Sequence, residues 1–330
     1  MSTIQPKGRV RLYAAGGCGL NIGGQLEAHR DRNETAFANL DIVYVDTSKS
    51  NLRNGIDAAN VYLIPDLDGS GKVRSENHAE IGQHIRQILH KFSPADLNIV
   101  LSSAAGGSGS VIAPLLASEL LASDAPTIVI AIGSADTRLD AENTLKTLKS
   151  YEAIARMRAA PLAMSFVQNS KKVSRPQADA TAVAAVMALC VLFSRENREL
   201  DSKDLFHWLH FEKTTSFPVQ LASMTLVENT TRIDGLGNII SVATLAKDGE
   251  VTTLDTMPEY QCVGYVPADA DEAILSRSPM HFVISDGILA GAAKELNGVL
   301  TAQSAQQEAR GKTQAILGTA DKATDAGLVL

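Results

Sequence analysis

The feature that most restricts the fold is an alternation. Six short apolar runs occur in the first half: Val10 to Ala15, Leu40 to Val45, Val61 to Ile64, Leu97 to Leu101, Thr127 to Ile132 and Leu162 to Val167. Stretches of helical character lie between them: one from Asn21, one over Ser75 to Phe92 with Ser75 as its N-cap, one over Gly109 to Ala122, and one over Leu139 to Met157. Short strands alternating with helices specify an α/β fold, a parallel sheet covered on both faces. Ligands of such sheets bind outside the carboxyl ends of the strands. Gly16-Gly17-Cys18-Gly19 follows the first run, Asp46 the second, Asp66 the third and Gly106-Gly107-Ser108-Gly109 the fourth. One edge of the sheet therefore carries small and acidic residues.

The pattern changes after the sixth run. Ala178 to Phe193 is apolar on every side and reads as a buried helix between two domains, short for a bilayer span. A polar break, SRENRELDSKD, follows, then a short helix over Leu205 to Phe211. Segments near 223–227, 239–246, 259–266 and 281–284 read as strands, with Lys247-Asp248-Gly249-Glu250 as a hairpin turn. A last helix runs from about Ser285 to Ala309, ahead of a small, weakly acidic tail, TADKATDAGLVL. The second half thus reads as a smaller α+β domain.

Composition removes several function classes. The net charge of −7 argues against a nucleic-acid groove, which needs clustered Lys and Arg. Cys18, Cys190 and Cys262 form neither a disulfide framework nor a zinc pattern, and His29, His78, His84 and His90 lack metal-ligand spacing. No apolar h-region marks the N-terminus, so the reading is a reducing, cytoplasmic compartment without a membrane anchor.

Ala105 to Ser110 (AGGSGS) lies between a strand and a helix. Consecutive N–H groups of such a loop, with the helix N-terminus behind them, suit a phosphate, and Ser108 and Ser110 add hydroxyls. The same residues also make an ordinary strand–helix turn. No GK[ST] follows, so this is not a Walker A loop. Gly17 and Gly19 fit the start of a dinucleotide fingerprint, with Ile22 where a third Gly belongs. An NAD(P)-dependent oxidoreductase would then hold ribose on Asp41 or Asp46. Two glycine stretches at one sheet edge suit a longer polyphosphate. In NRELDSKD, a helix starting near Ser202 turns Asp201 and Asp204 to one side, which is also how a capped, solvated helix begins.

A glycine loop after the first strand, AGGSGS after the fourth, a long central helix and then a D-x-x-D loop: this order resembles the tubulin/FtsZ superfamily. Within it, the short length and serine-rich signature look most like the bacteriophage tubulins of the PhuZ type. AGGSGS stands where that family carries its GGGTGTG-type signature, and GGCGLN where its first nucleotide loop lies. The likeness implies a GTP-binding parallel-sheet domain over residues 1–174 and a central helix over 175–198. An α+β GTPase-activating domain with the C-terminal helix follows over 199–310, and a tail over 311–330.

It also implies roles. Gly106, Gly107, Ser108, Gly109 and Ser110 would wrap the α- and β-phosphates of GTP; Gly17, Cys18 and Gly19 match the first loop, with Asn21 near the base. Asp46 matches the second loop, Gly69-Ser70-Gly71 the γ-phosphate-sensing third, and Asp140 or Glu142 the ribose-binding fifth. Asn169 matches the sixth-loop Asn. Asp179 stands as far before Asp201 as the family's guanine-reading residue does, and it also suits a helix N-terminus beside Arg175. Arg175 replaces the family's base-stacking aromatic, Asn169 lies closer to Asp179 than usual, and Ala105 replaces a Gly. Asp201 and Asp204 would be the catalytic acids, acting on the GTP of the next subunit, with Mg²⁺ carried by the phosphates and no protein metal site. The implied partner is the chain itself, head to tail, in the host bacterial cytoplasm, with the tail (Asp321, Asp325) reaching a neighbour, for example at Arg86, or else lying frayed. Trp208 suits either the subunit interface or the core. The implied cargo is phage DNA or its compartment. A plasmid-segregating relative would add a basic tail, and a nucleotide-binding structural protein would lack hydrolysis.

Overall fold

The apolar runs become strands because both faces of most of them are covered. In the computed structural model, which describes residues 6–30, 37–170, 172–228, 233, 235–268 and 277–310, the strands are β1 (Arg9–Ala15), β2 (Asn39–Asp46), β3 (Val61–Leu63), β4 (Leu97–Ser103), β5 (Thr127–Ser134), β6 (Leu162–Asn169), β7 (Leu221–Glu228), β8 (Ile239–Ala246), β9 (Tyr260–Tyr265) and β10 (Met280–Ser285). The helices are α1 (Gly16–Arg30), α2 (His78–Lys91), α3 (Gly109–Ala122), α4 (Arg138–Arg158), α5 (Arg175–Leu192), α6 (Ser202–Leu209) and α7 (Gly287–Arg310). One ten-stranded sheet takes the order β3-β2-β1-β4-β5-β6-β7-β10-β8-β9.

The first six strands are parallel. β7 joins β6 in parallel through Leu162–Met164, and beyond it β10 runs antiparallel to both β7 and β8. The expected α/β class, with a parallel N-terminal half, a long helix and a mixed C-terminal half, is what forms. The two halves share one continuous sheet.

Alternate residues of each strand feed opposite cores. Val10, Leu12 and Ala14 of β1 join a core with α1, α5 and α6, whereas Tyr13 and Ala15 face α2 and α3. Among the described residues α5 is the one helix long and apolar enough to cross a membrane. Its Ala178, Ala182, Val186 and Leu189 are buried in the first core.

Three expectations are corrected, and the open choice at Trp208 is decided. α1 starts at Gly16, not Asn21, so Gly17 to Gly19 form its first turn. A Cβ on Gly19 would lie 2.7 Å from the Ala14 carbonyl carbon and 2.8 Å from the Leu101 oxygen. The helix sits that close to the sheet because no side chain intervenes. Ser75 does not cap α2, which begins after Asn77; the Asn77 amide donates instead to the Gly69 carbonyl at 2.6 Å. The Lys247–Glu250 turn closes, with Glu250 N–H to Lys247 O at 3.2 Å, but it makes no hairpin. β8 and β9 are parallel, so residues 247–259 carry the chain back along the sheet. Trp208 is wholly buried and donates to the Phe282 carbonyl at 3.1 Å, which places it in the core.

Candidate functional site

Strand order reverses between β1 and β4, whose carboxyl ends carry the two glycine stretches. Such a switch point opens a crevice. Here the stretches touch: a Cβ on Gly16 (φ +69°) would lie 2.8 Å from the Gly109 Cα. The N-termini of α1 and α3 therefore sit side by side, with their unpaired N–H groups and partial positive charge at one point, as a polyphosphate requires.

The signature loop is held from behind. The Ser110 hydroxyl donates to the Gly106 and Gly107 carbonyls at 2.7 and 2.8 Å and is fully buried, so it braces the loop rather than offering a donor to a ligand. The Ser108 hydroxyl meets the Thr47 hydroxyl at 2.6 Å and the Ser70 hydroxyl at 3.3 Å. Ser70 belongs to the Gly69–Gly71 loop, which lies across Gly107. Asp46 is 2% exposed and accepts from the Thr47 N–H at 2.7 Å and the Asn51 amide at 2.8 Å; burial pushes its pKa up. It shapes the second loop from inside.

These loops line a shallow lobe of about 180 Å³ that includes Gly17, Cys18, Gly69, Ser70, Gly71 and Gly106 to Gly109. It adjoins a cleft of about 300 Å³ reaching Asn21, Asp140, Asn169, Arg175 and Asp179. Gly19 is packed beneath the floor. At the far end the Asn21 amide donates to Asp179 Oδ2 at 2.9 Å, and the Arg53 guanidinium donates to Asn21 Oδ1. Burial raises the Asp179 pKa against the pull of nearby Arg175. Burial, with Asp179 beside it, holds the Cys18 thiol protonated, its pKa pushed up to about 12. Asn169 ends β6 and donates to Asp136 Oδ2 at 3.3 Å. The chain passes from it to α5 without an intervening helix among the described residues, which accounts for the short spacing to Asp179.

Asp140 and Glu142 separate. Asp140 faces the cleft, 3% exposed, and takes the Lys72 ammonium at 2.6 Å and the Thr137 hydroxyl at 2.8 Å. Glu142 pairs with Arg138 at 2.7 Å along α4, outside the cleft lining. Asp41, the other ribose candidate of the dinucleotide reading, is tied to Arg9 and Arg11 at 3.0 Å within the sheet.

Four contributors were missed from sequence. Lys72 lines both the lobe and the cleft, and Asp136 lines the cleft. The Asn143 amide donates to the carbonyls of Lys72 at 2.9 Å and Ala105 at 3.2 Å, and Arg74 donates to the Ser110 carbonyl at 3.1 Å. Only Lys72, in GSGK, and Asp136, just past a strand end, carried a local signal.

Asp201 and Asp204 lie elsewhere. Asp201 caps α6: its Oδ1 accepts from the Lys203 and Asp204 N–H groups at 2.8 and 2.9 Å, and Asp204 Oδ2 accepts from the Asp201 N–H at 3.0 Å. Those N–H groups hold the Asp201 carboxyl below its ordinary pKa. Asp201 is exposed and Asp204 half-buried. They border a hollow of about 980 Å³ with Asp96, Pro126 and Arg195. Asp96 and Pro126 directly precede β4 and β5, so this is the amino end of the parallel strands. The 18 residues of α5 separate the two sites, a rise of about 27 Å. No carboxylate side chain bridges that distance.

A family model described as the C-terminal domain of phage tubulin-like proteins matches residues 200–288. The phage tubulin-like protein of Pseudomonas phage phiKZ is 27% identical over 338 residues, covering 99% of each chain. That of Pseudomonas phage PhiPA3 is 28% identical over 329 residues, covering 98% of this chain and 99% of the relative. The TubZ protofilament structure from bacteriophage PhiKZ superposes with a TM-score of 0.81 at 28% identity, covering 97% of this chain and 99% of that one. Over its whole length the chain is thus similar to the phage tubulin-like proteins, and its fold is that of the tubulin/FtsZ superfamily. A GDP complex of the phage tubulin PhuZ shares the fold, with a TM-score of 0.83 at 23% identity. That likeness runs through the whole sheet, whereas the order of dinucleotide-binding sheets covers the first six strands, β3-β2-β1-β4-β5-β6. What distinguishes the tubulin-like chain is the continuation through β7, β10, β8 and β9, and the acidic loop at the opposite end of α5.

Proposed function

We propose that this tubulin-like protein is a filament-forming GTPase whose active site is completed between subunits stacked head to tail. The observation that carries the reading is the placement of two half-sites, glycine loops and acidic loop, at opposite ends of the same parallel strands. Stacking one chain on the next brings the hollow at the amino end over the neighbour's cleft. Such a contact is heterologous and does not close, so it propagates a filament. The PhiKZ relative forms a protofilament and PhuZ binds GDP, which supports both the assembly and the nucleotide.

In the cleft, the Asp179 carboxylate accepts from guanine N1–H and its amino group, and Asn21 orients it. Adenine presents an acceptor at N1 and is refused. Arg175 lies over the base plane. Asp136 and Asn169 serve the ribose, the backbone N–H groups of Gly17 to Gly19 and Gly106 to Ser110 the α- and β-phosphates, and Gly69 to Gly71 the γ-phosphate. Mg²⁺ would come with the phosphates and would supply charge neutralisation there. Asp201 Oδ2 lies outside the cap and is available to orient water and take its proton, with Asp204 beside it. Water attacks the γ-phosphorus and the β–γ bridging oxygen leaves with GDP.

The subunits work in the infected bacterial cytoplasm, positioning phage DNA or its compartment. Asp321 and Asp325 of the tail lie outside the described residues, and the reading gives them a contact with a neighbouring subunit. Arg86 pairs with Glu119 at 3.2 Å but keeps its side chain 85% exposed, open to such a contact. The test follows right-angle scattering and phosphate release together with GTP–Mg²⁺ across protein concentration. Phosphate release that tracks polymer above a critical concentration supports the reading; release proportional to monomer contradicts it.

A further inference from the structure

We propose that Lys72 is the residue by which this cleft distinguishes a triphosphate from a diphosphate, exchanging Asp140 for the terminal phosphate. The inference rests on the guanine-nucleotide reading of the cleft. Lys72 lines both the phosphate lobe and the deeper cleft. Its backbone lies against the signature loop: a Cβ on Gly107 would stand 3.0 Å from the Lys72 nitrogen and 3.1 Å from its Cα. An ammonium carried on that backbone reaches whatever the signature loop holds.

The two partners of the ion pair are unequal. The Asp140 side chain is 4% exposed and the Lys72 side chain 51%. The carboxylate is the fixed member: the Thr137 hydroxyl donates to its second oxygen, and it sits in the first turn of α4, where the helix N-terminus favours a negative charge. Asp140 therefore keeps the Thr137 hydroxyl and the helix N-terminus when Lys72 leaves, and the cost of uncovering its other oxygen is what the terminal phosphate must exceed. The lysine backbone stays too, because the Asn143 amide holds its carbonyl at 2.9 Å. The exchange is a rotation of one flexible side chain. A γ-phosphate supplies more negative charge than Asp140 at the point where lysine acts as a compact cation. With GDP no such group is present and Lys72 remains on Asp140.

The test measures affinities for GTPγS and GDP by fluorescence competition at a protein concentration below polymerisation, with melting as a check on folding. Wild type is expected to prefer GTPγS. Lys72→Met should weaken GTPγS by about tenfold, roughly 1.4 kcal/mol, with less than a twofold change for GDP. Lys72→Arg should restore most of the preference, and Asp140→Asn should tighten GTPγS severalfold by removing the competitor. Equal losses for both nucleotides, or no change in Lys72→Met, overturns the inference while leaving the site intact. A wild-type chain that binds neither nucleotide overturns the nucleotide reading, and this inference with it.

Discussion

Asp201 is both a helix cap and the proposed water-positioning acid, and the two roles separate in one pair of variants. Asp201→Ala removes the acceptor of two N–H bonds at the start of α6. Loss of such a cap costs about 1 kcal/mol, which in a chain this long lowers the melting temperature by roughly 2 °C. Asp201→Asn keeps an amide oxygen able to accept the same bonds, and Asn caps about as well as Asp. It loses only the charge at the helix N-terminus, on the order of a few tenths of a kcal/mol. If the Asp201 carboxylate orients and deprotonates water, both variants should lose about 10²–10⁴-fold in GTP turnover, since neither keeps a carboxylate at that position and Asp204 Oδ2 is engaged by the backbone N–H of residue 201. Filaments should still form with GTP and persist, because the cleft is untouched. The assays are calorimetric melting, phosphate release and the lifetime of the scattering signal after GTP addition. Normal turnover in Asp201→Asn, with a lowered melting temperature in Asp201→Ala alone, would mean that Asp201 is only a cap.

Asp179→Asn puts a donor where guanine needs a second acceptor, so competition assays should show GTP affinity falling at least tenfold and xanthosine triphosphate gaining; unchanged selectivity contradicts the guanine role. Burial raises the Asp179 pKa, so the ionised form is lost at a higher pH than for an ordinary Asp. GTP affinity should weaken as pH falls toward that raised value, and the Asn variant should be flat over the same window in a fluorescence titration. Gly19→Ala forces a methyl against the backbone of Ala14 and Leu101, so chemical denaturation should report a loss of about 1–3 kcal/mol; a neutral result would mean α1 does not pack as described. Deleting residues after Gly318 should abolish polymerisation in light scattering while leaving GTP binding unchanged, and normal assembly would refute the tail contact.

The parallel half was legible because strands buried on both faces read as unbroken apolar runs, and β4 and β5 stand out for that reason. The Asp201–Asp204 helix start was legible because a cap is a local device. The start of α1 was not: glycine is a poor helix former, and only contact with β1 and β4 explains Gly16 to Gly19 inside a helix. The Lys247–Glu250 turn looked like a hairpin because turn chemistry does not encode which strand pairs next. β10 inserts between β7 and β8, a choice made by nonlocal packing. Lys72 and Asp140 are far apart in the sequence, so their ion pair belongs to the tertiary fold. Ser110 looked like a phosphate donor because its residue type suits that role; its geometry turns the hydroxyl inward.

The most direct test of the split site is complementation. Asp201→Ala keeps the cleft and loses the acid; Asp179→Ala keeps the acid and loses the guanine contact. Each alone should release phosphate at a small fraction of the wild-type rate. Mixed with GTP, the cleft of the first lies beneath the acidic loop of the second, and phosphate release should rise well above the sum of the two. A rate equal to that sum, in a mixture shown by sedimentation to co-assemble, would contradict a site shared between subunits.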